Sequence, residues 1–165
     1  MINRHSITHY VVLGAIIAAA YVALTLLFAP ISYGPMQVRI AEALTILPVF
    51  TPAAIPGLFI GCVIANIYGG AVLDVVFGSL ATLIGAFFTW KLRHARPFLA
   101  PVPPILSNTI IIPFVLRYAY SIEDSIPFLM LTVGFGEVLS CGVLGMLLYY
   151  ALRGKKDVIF RMGED

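Results

Sequence analysis

The stretch that decides the fold is PFLMLTVGFGEVLSCGVLGMLLYYAL, residues 127–152, in which Glu137 is the one charged side chain. A transmembrane helix needs about 20 predominantly apolar residues, and this run is long enough to cross a bilayer. At a rise of about 1.5 Å per residue, Glu137 lies about 15 Å from the start of the run, near the middle of the hydrocarbon core. The stretch therefore predicts a transmembrane helix with a carboxylate at its centre.

The rest of the chain has the same apolar character. Of its 165 residues, 61% are hydrophobic and 11% are charged, whereas a typical soluble domain is about 45–50% apolar and about 25% charged. This balance excludes a soluble globular enzyme, a disordered chain and a nucleic-acid-binding protein. We expect an all-α integral protein of the lipid bilayer, folded as a single membrane domain over residues 1–165.

Apolar runs separated by proline, glycine and charged residues predict six membrane-spanning helices. Thr51-Pro52 and Gly69-Gly70 are clear breaks between runs. A cleaved signal peptide is not expected, because the first run is longer than the ~7–15 apolar residues of a signal sequence. The predicted spans are residues 10–29, 38–50, 53–68, 72–92, 103–118 and 127–152.

The basic residues predict how these spans are oriented. Six spans place both termini and the 91–96 loop on one side of the membrane, together with eight of the ten Lys and Arg residues, while Arg39 and Arg117 fall on the other side. Because Lys and Arg are enriched in cytoplasmic loops, we expect both termini in the cytoplasm. The eight residues are Arg4, Lys91, Arg93, Arg96, Arg153, Lys155, Lys156 and Arg161.

Motifs for catalysis are missing from the sequence. It contains no G-x-x-x-x-G-K-[ST] phosphate loop, no H-E-x-x-H metal motif and no G-x-S-x-G nucleophile motif. Cys62 and Cys141 form no CxxC pair, and we interpret both as small core residues. The sequence therefore indicates no enzyme, no cofactor and no metal site, and it favours a protein that binds and moves a ligand or acts as a scaffold.

Carboxylates inside the predicted spans are candidates for a binding site. A charged side chain near a helix centre costs about 2.5–3.5 kcal/mol on insertion, so it usually faces the protein interior. Glu137 has no basic residue within one turn, and we interpret it as a ligand-binding carboxylate. Glu42 lies three residues after Arg39 on the same helix face, so the two either neutralise each other or contact a substrate.

Three further polar residues each allow two interpretations. Asp74 lies in the first turn of the fourth span, where it either interacts with the helix dipole or binds substrate. Asn66 either caps the end of the third span or faces the site, since an amide in lipid needs a partner. Asn108 either makes a hydrogen bond between helices or contacts the ligand.

The first span carries a stripe of small residues. Ala15, Ala19 and Ala23 recur every four residues and therefore lie on one helix face. Small residues at this spacing let two helix backbones approach closely. The alanine face, as we call these three residues, either packs inside the protein or docks onto another membrane protein.

Five stretches of the chain, in order across residues 10–150, point to a known family. They are GPMQVRIAEALT at 34–45, PGLFIGC at 56–62, DVVFGSLATL at 74–83, PILSN at 104–108 and GFGE at 134–137. Together they resemble the queuosine-precursor transporter (QueT) family, whose members are S components of energy-coupling factor (ECF) transporters.

This resemblance implies a compact bundle of six transmembrane helices in the cytoplasmic membrane of a prokaryotic cell. It implies a 7-deazaguanine base as the substrate, with 7-aminomethyl-7-deazaguanine as the preferred candidate, and a lid at residues 33–37. The implied partner is an ECF module of one transmembrane coupling subunit and two cytoplasmic ATPases. Docking onto the coupling subunit would fall to the alanine face.

The ligand chemistry implied by the resemblance suggests a role for each polar residue. Glu137 would accept the paired N1–H and N2–H₂ donors of the base, and Asn108 would contact O6 or a ring nitrogen. Glu42 or Asp74 would bind the aminomethyl cation, with Arg39 holding Glu42 in place. The candidate substrate-binding residues are Glu137, Asn108, Glu42, Asp74, Asn66, Arg39, Gln37 and Tyr33.

Other functions stay open at this point. The chain could be an S component for another small vitamin-like molecule. It could also be a self-contained proton-coupled carrier in which Glu137 relays protons, or a non-transporting subunit whose buried polar residues only join helices. Ligand binding by the purified protein separates a transporter from a scaffold, and uptake without partner subunits separates the carrier from the S component.

Overall fold

The computed structural model describes residues 4–32 and 38–160, and the regular structure within them is helical throughout. The all-helical class is therefore confirmed. The α-helices are, in chain order, α1 (Arg4–Leu27), α2 (Ala29–Ser32), α3 (Ala54–Gly69), α4 (Ser79–Lys91), α5 (Val102–Ala119), α6 (Ile126–Glu137), α7 (Gly145–Leu152) and α8 (Lys156–Ile159). Two 3₁₀ segments, Ile40–Val49 and Pro97–Leu99, and two π segments, Asp74–Gly78 and Val138–Leu144, complete the described helical structure.

Helical structure occurs in each of the six stretches that the sequence predicts to span the membrane. The last of them is a continuous run in which the π segment Val138–Leu144 joins α6 to α7. The fourth contains the π segment Asp74–Gly78, which leads directly into α4. Both π segments adjoin a candidate carboxylate, since Asp74 begins the first and Glu137 directly precedes the second. Local π geometry is frequent at functional sites.

The second predicted span is a 3₁₀ helix, Ile40–Val49, rather than an α-helix. Ten residues in this conformation extend about 20 Å, compared with about 15 Å in an α-helix. Pro48 lies inside the segment and has no backbone N–H to donate. Long 3₁₀ runs are uncommon and often mark a functional or strained segment, and this one carries the buried Glu42.

Three helical runs are long and apolar enough to cross a membrane, namely Ile7–Leu27, Pro97–Ala119 and Ile126–Leu152. Two shorter apolar helices, Ile40–Val49 and Ala54–Gly69, accompany them. Several helices of this length and apolar composition in one chain indicate a multi-pass membrane protein. The count of six crossings and the cytoplasmic location of both termini stay predictions.

The outer surface is apolar and the interior contains polar groups. Val72, Leu131 and Leu147 are 77%, 74% and 63% exposed, and many other large apolar side chains also face outward. Lipid accommodates such a surface, whereas polar groups within a bilayer must find partners inside the protein. The buried polar residues include Arg39, Glu42, Asn66, Asp74, Asn108 and Glu137.

Helices α1 and α3 pack against each other through glycine residues. A Cβ atom added at Gly57 would lie 2.6 Å from the carbonyl oxygen of Gly14, and one added at Gly61 would lie 2.9 Å from that of Ala18. A larger side chain at either position would therefore push the two backbones apart. This contact fixes which face of α1 points inward and places Tyr21 in the core with no exposed surface.

Candidate functional site

The first polar group of the interior is an ion pair between two helical segments. The Nη2 atom of Arg39, which precedes the 3₁₀ segment, lies 3.0 Å from Oδ2 of Asp74 at the start of the first π segment. The hydroxyl of Tyr120 donates to the same Asp74 oxygen at 3.2 Å, and Nε of Arg39 donates to the carbonyl of Ser32 at 3.3 Å. Sequence spacing suggested Glu42 as the partner of Arg39, but the salt bridge joins Arg39 to Asp74.

A second group surrounds Glu137, the last residue of α6. Its Oε1 accepts a hydrogen bond of 2.9 Å from Nδ2 of Asn108 on α5, and its Oε2 accepts one of 3.1 Å from Sγ of Cys141 in the following π segment. Glu137 is 5% exposed and Asn108 is 3% exposed. Asn108 therefore makes the hydrogen bond between helices that the sequence allowed, and it makes it to the central carboxylate.

The carboxylate of Glu42 approaches this second group from the 3₁₀ segment. Its Oε1 accepts a short hydrogen bond from the hydroxyl of Tyr21 on α1. The backbone carbonyl of Glu42 accepts from Oγ1 of Thr45 at 2.6 Å and lies 3.5 Å from Sγ of Cys141, whose one proton is directed to Glu137. Tyr21 is thus a side chain whose hydrogen bond orients Glu42.

Glu42, Glu137 and Cys141 come together although they are far apart in sequence. The ligating atoms of these three residues all lie within 4.8 Å of one another, and all three residues are buried. Two carboxylates and a thiol can hold a cation in such an arrangement, or share protons when no cation is bound. We call Glu42 and Glu137 the carboxylate pair.

Asn66 connects α3 to the start of the fourth span. Its Nδ2 donates to the backbone carbonyl of Asp74 at 3.0 Å and to Sγ of Cys62 at 3.4 Å. The end of α3 is instead capped by Gly70, which has a φ of 83° and donates its N–H to carbonyls of the last turn. The Asn66 side chain therefore serves a contact between segments and not the helix cap that the sequence allowed.

Four buried oxygen atoms of these groups lack a hydrogen-bond partner within the described part of the chain. They belong to side chains that the sequence singled out, and each is an acceptor. Buried polar groups are nearly always paired, and leaving one unpaired costs about 1–3 kcal/mol. N–H donors of a ligand can pair with these four acceptors, whereas the three buried hydroxyls that also lack a partner, those of Ser79, Thr109 and Ser140, can both donate and accept. The four atoms are Glu42 Oε2, Asn66 Oδ1, Asp74 Oδ1 and Asn108 Oδ1.

The family model described as QueT transporter matches residues 11–154, nearly the whole chain. The chain belongs to the QueT transporter family. Members of the QueT family are transporters and not enzymes, so the family assignment and the absence of an enzymatic function both follow from this match. The resemblance found in the sequence is confirmed.

A curated relative of this QueT-family chain is the queuosine precursor transporter QueT of Lactococcus lactis subsp. cremoris (strain MG1363). The two are 40% identical over 83 residues, which cover 49% of this chain and 49% of the relative. The chain thus matches about half the length of this relative. No solved structure matches the chain significantly.

Two predicted substrate-binding residues of this QueT-family chain, Tyr33 and Gln37, lie outside the described residues, as does the rest of the predicted lid. The remaining six are all buried, with 5% or less of each residue exposed. They are Arg39, Glu42, Asn66, Asp74, Asn108 and Glu137. Hydrogen bonds gather them into one group around Asp74 and one around the carboxylate pair; their roles toward a ligand are proposals.

The alanine face of the QueT-family chain lies on its exterior. Ala15, Ala19 and Ala23 are all exposed, because the opposite side of α1 packs on α3. They border an apolar groove of about 720 Å³, whose other wall includes Ile60 and Ile64 of α3. Within residues 4–32 and 38–160, no helix therefore packs over the alanine face.

Sequence reasoning missed four side chains of the site, because each contacts a residue distant in the chain. Tyr21 bonds Glu42 from 21 residues away, and Tyr120 bonds Asp74 from 46 residues away. Oγ1 of Thr45 lies 3.3 Å from Sγ of Cys141 across 96 residues. A signal was present for Cys141 alone, since it follows Glu137 by one turn on the same face.

Proposed function

We propose that this chain is the substrate-binding S component of an ECF-type importer in the cytoplasmic membrane of a prokaryotic cell. Its ligand is a queuosine precursor with a 7-deazaguanine base, and 7-aminomethyl-7-deazaguanine is the preferred candidate. The observation that carries the proposal is the set of four buried acceptors without partners in a QueT-family transporter. The name of the Lactococcus relative supports the same ligand class.

The ligand has donors that suit these acceptors. A guanine-type edge presents N1–H and N2–H₂ side by side, and a carboxylate accepts both in bidentate fashion. Glu137 suits this edge because it lies deepest in the longest apolar run. The unpartnered Oδ1 of Asn108 suits an N–H donor of the five-membered ring. Ile112 and Val133, one turn from Asn108 and Glu137 respectively, belong to a buried apolar cluster and would supply apolar contacts to the ring.

The proposed coupling to ATP hydrolysis rests on the family resemblance and on the exposed alanine face. The given sequence contains no phosphate-binding loop, so the S-component proposal assigns ATP hydrolysis to partner subunits. Ala15, Ala19 and Ala23 offer a small, exposed helix surface onto which a transmembrane coupling subunit can pack closely. Two cytoplasmic ATPases would act through that subunit.

Titration calorimetry on the purified full chain in detergent tests the ligand. We expect it to bind 7-aminomethyl-7-deazaguanine and to bind the analogue without the exocyclic 2-amino group at least about 10-fold more weakly. The expected loss follows because one hydrogen bond to a charged group contributes about 1.5–3 kcal/mol and 1.4 kcal/mol corresponds to one decade of affinity. If the protein binds neither compound, the proposed substrate class is wrong.

A self-contained proton-coupled carrier is the alternative that the carboxylate pair favours, because paired acidic groups inside membranes can relay protons. Uptake into proteoliposomes distinguishes the two functions. The S-component proposal expects uptake only when the ECF module and ATP are present. Uptake by the chain alone, driven by a pH gradient, would support the carrier instead.

A further inference from the structure

The three carboxylates of the site differ in how their charge is balanced. Asp74 lies 3.0 Å from the guanidinium group of Arg39, and this is the one salt bridge among the described residues. The Tyr120 hydroxyl donates a further hydrogen bond to the same carboxylate. The negative charge of Asp74 is therefore neutralised within the protein.

The carboxylate pair makes its hydrogen bonds with uncharged side chains. Glu42 accepts from Tyr21, and Glu137 accepts from Asn108 at 2.9 Å and from Cys141 at 3.1 Å. The pair and the Cys141 thiol lie within 4.8 Å of one another in the interior. Two carboxylates this close cannot both be ionised unless a cation lies beside them, because their repulsion is strong where water is excluded.

The two members of the pair also differ in the acceptors that they have left. Each oxygen of Glu137 already accepts one hydrogen bond and keeps one lone pair for a ligand, whereas Oε2 of Glu42 is buried and accepts none from the described residues. A second observation, independent of the acidic pair, points to a ligand at the same place. The Oδ1 atom of Asn108, on the amide that bonds Glu137, is likewise buried and without a partner.

We propose that Glu42, held in position by Tyr21, recognises positive charge on the ligand and selects a 7-deazaguanine that carries a protonated amine on its 7-substituent. This inference rests on the proposed function and deepens it. The ammonium group donates to Oε2 of Glu42, while Glu137 accepts the N–H donors of the base. Asp74 does not take this role, because Arg39 already balances its charge.

Tyr21 acts here as a positioning residue. It lies on α1 with no exposed surface, and its hydroxyl fixes one oxygen of Glu42 so that the other oxygen is presented to the ligand. Removing that hydroxyl leaves the charge of Glu42 in place but frees the carboxylate to rotate. Tyr21→Phe should therefore weaken the preference for a cation without abolishing it.

A pair of matched ligands tests the proposal on the purified full chain. 7-Aminomethyl-7-deazaguanine and 7-hydroxymethyl-7-deazaguanine have nearly the same shape, but only the first is charged at pH 7. The native protein should bind the aminomethyl compound about fivefold more tightly, because a charge-assisted hydrogen bond is roughly twice as strong as a neutral one. Glu42→Gln should weaken the aminomethyl compound about 10- to 100-fold and change the hydroxymethyl compound by less than about threefold.

Glu137→Gln is the matched control, since it makes the same chemical change on the other carboxylate. It should weaken both ligands. Because Glu137 lies within 4.8 Å of Glu42 it also affects the affinity ratio, but less than Glu42→Gln does. Tyr21→Phe should give a ratio between those of the native protein and Glu42→Gln.

A native ratio near one overturns the inference on its own, whether or not the Glu42 variant can be purified. An unchanged ratio in Glu42→Gln also overturns it and leaves the proposed function standing. If the native protein binds neither compound, the proposed function fails and the inference fails with it.

Discussion

Replacing Glu137 with glutamine isolates the contribution of the central carboxylate to ligand binding. Glutamine keeps the length and shape of the side chain but exchanges one acceptor oxygen for an NH₂ donor. The remaining oxygen can still accept from Nδ2 of Asn108, which now lies 2.9 Å from the carboxylate. The new NH₂ group then faces Sγ of Cys141, 3.1 Å away, and sulfur can act as a weak acceptor there.

Binding should suffer much more than folding. The ligand loses a charge-assisted hydrogen bond of about 1.5–3 kcal/mol, and one buried N–H is left facing another donor at a cost of about 1–3 kcal/mol. The lower limits together correspond to an affinity loss of about 60-fold, so we expect a loss of at least about 30-fold. The fold tolerates the change, because a neutral amide is cheaper to bury in a membrane protein than a carboxylate.

Titration calorimetry with 7-aminomethyl-7-deazaguanine measures the affinity, and circular dichroism of the same sample checks helix content. The analogue without the 2-amino group should bind more weakly to the native protein but be discriminated less by Glu137→Gln, since the carboxylate that reads this group is gone. A variant that binds the ligand as tightly as the native protein would refute the role assigned to Glu137. If the native protein and Glu137→Gln have the same affinity ratio for the two ligands, a residue other than Glu137 binds the 2-amino edge of the base.

Three further outcomes follow from the structure. Leucine at both Ala15 and Ala19 should abolish co-purification with the coupling subunit and leave ligand binding by the isolated chain intact, because both residues are exposed; loss of both properties would mean that the face is needed for folding. Gly57→Ala should lower the free energy of unfolding by an overpacking cost of about 1–3 kcal/mol, since its Cβ would lie 2.6 Å from a carbonyl oxygen of α1. The thermal midpoint should fall accordingly. Gly154→Ala is the control with nothing within 4 Å, and an equal shift in both variants would contradict this packing. A cysteine at the exposed Ser121 should react only with reagents added outside the cell, and labelling from the cytoplasm alone would show that the predicted span count is wrong.

The positions of the helices could be predicted because hydropathy and breaker residues act locally. The last predicted span, 127–152, coincides with the apolar run Ile126–Leu152, and Gly70 ends α3 where the sequence has its Gly-Gly break. The 3₁₀ geometry of Ile40–Val49 could not be predicted from the same signal, because a short apolar run is compatible with several helix types and packing selects one of them.

Some residues of the site could be predicted from the sequence, but the partners that they contact could not. A carboxylate at the centre of an apolar run is costly whatever surrounds it, so Glu137 could be singled out from sequence alone. Partners are chosen in three dimensions, however. Arg39 lies three residues from Glu42 but forms its salt bridge with Asp74, 35 residues away. Tyr21 carries no charge and no motif, yet it orients Glu42.

The most direct test of the proposed function is the identity of the small molecule that stays bound to the chain when it is purified from cells. The full chain is purified from cells supplied with isotopically labelled 7-aminomethyl-7-deazaguanine, and the bound material is released and analysed by mass spectrometry. We expect a near-equimolar amount of the labelled base with the native protein and a strongly reduced amount with Glu137→Gln. A native protein that carries none of the labelled base, or a variant that carries as much as the native protein, would contradict it.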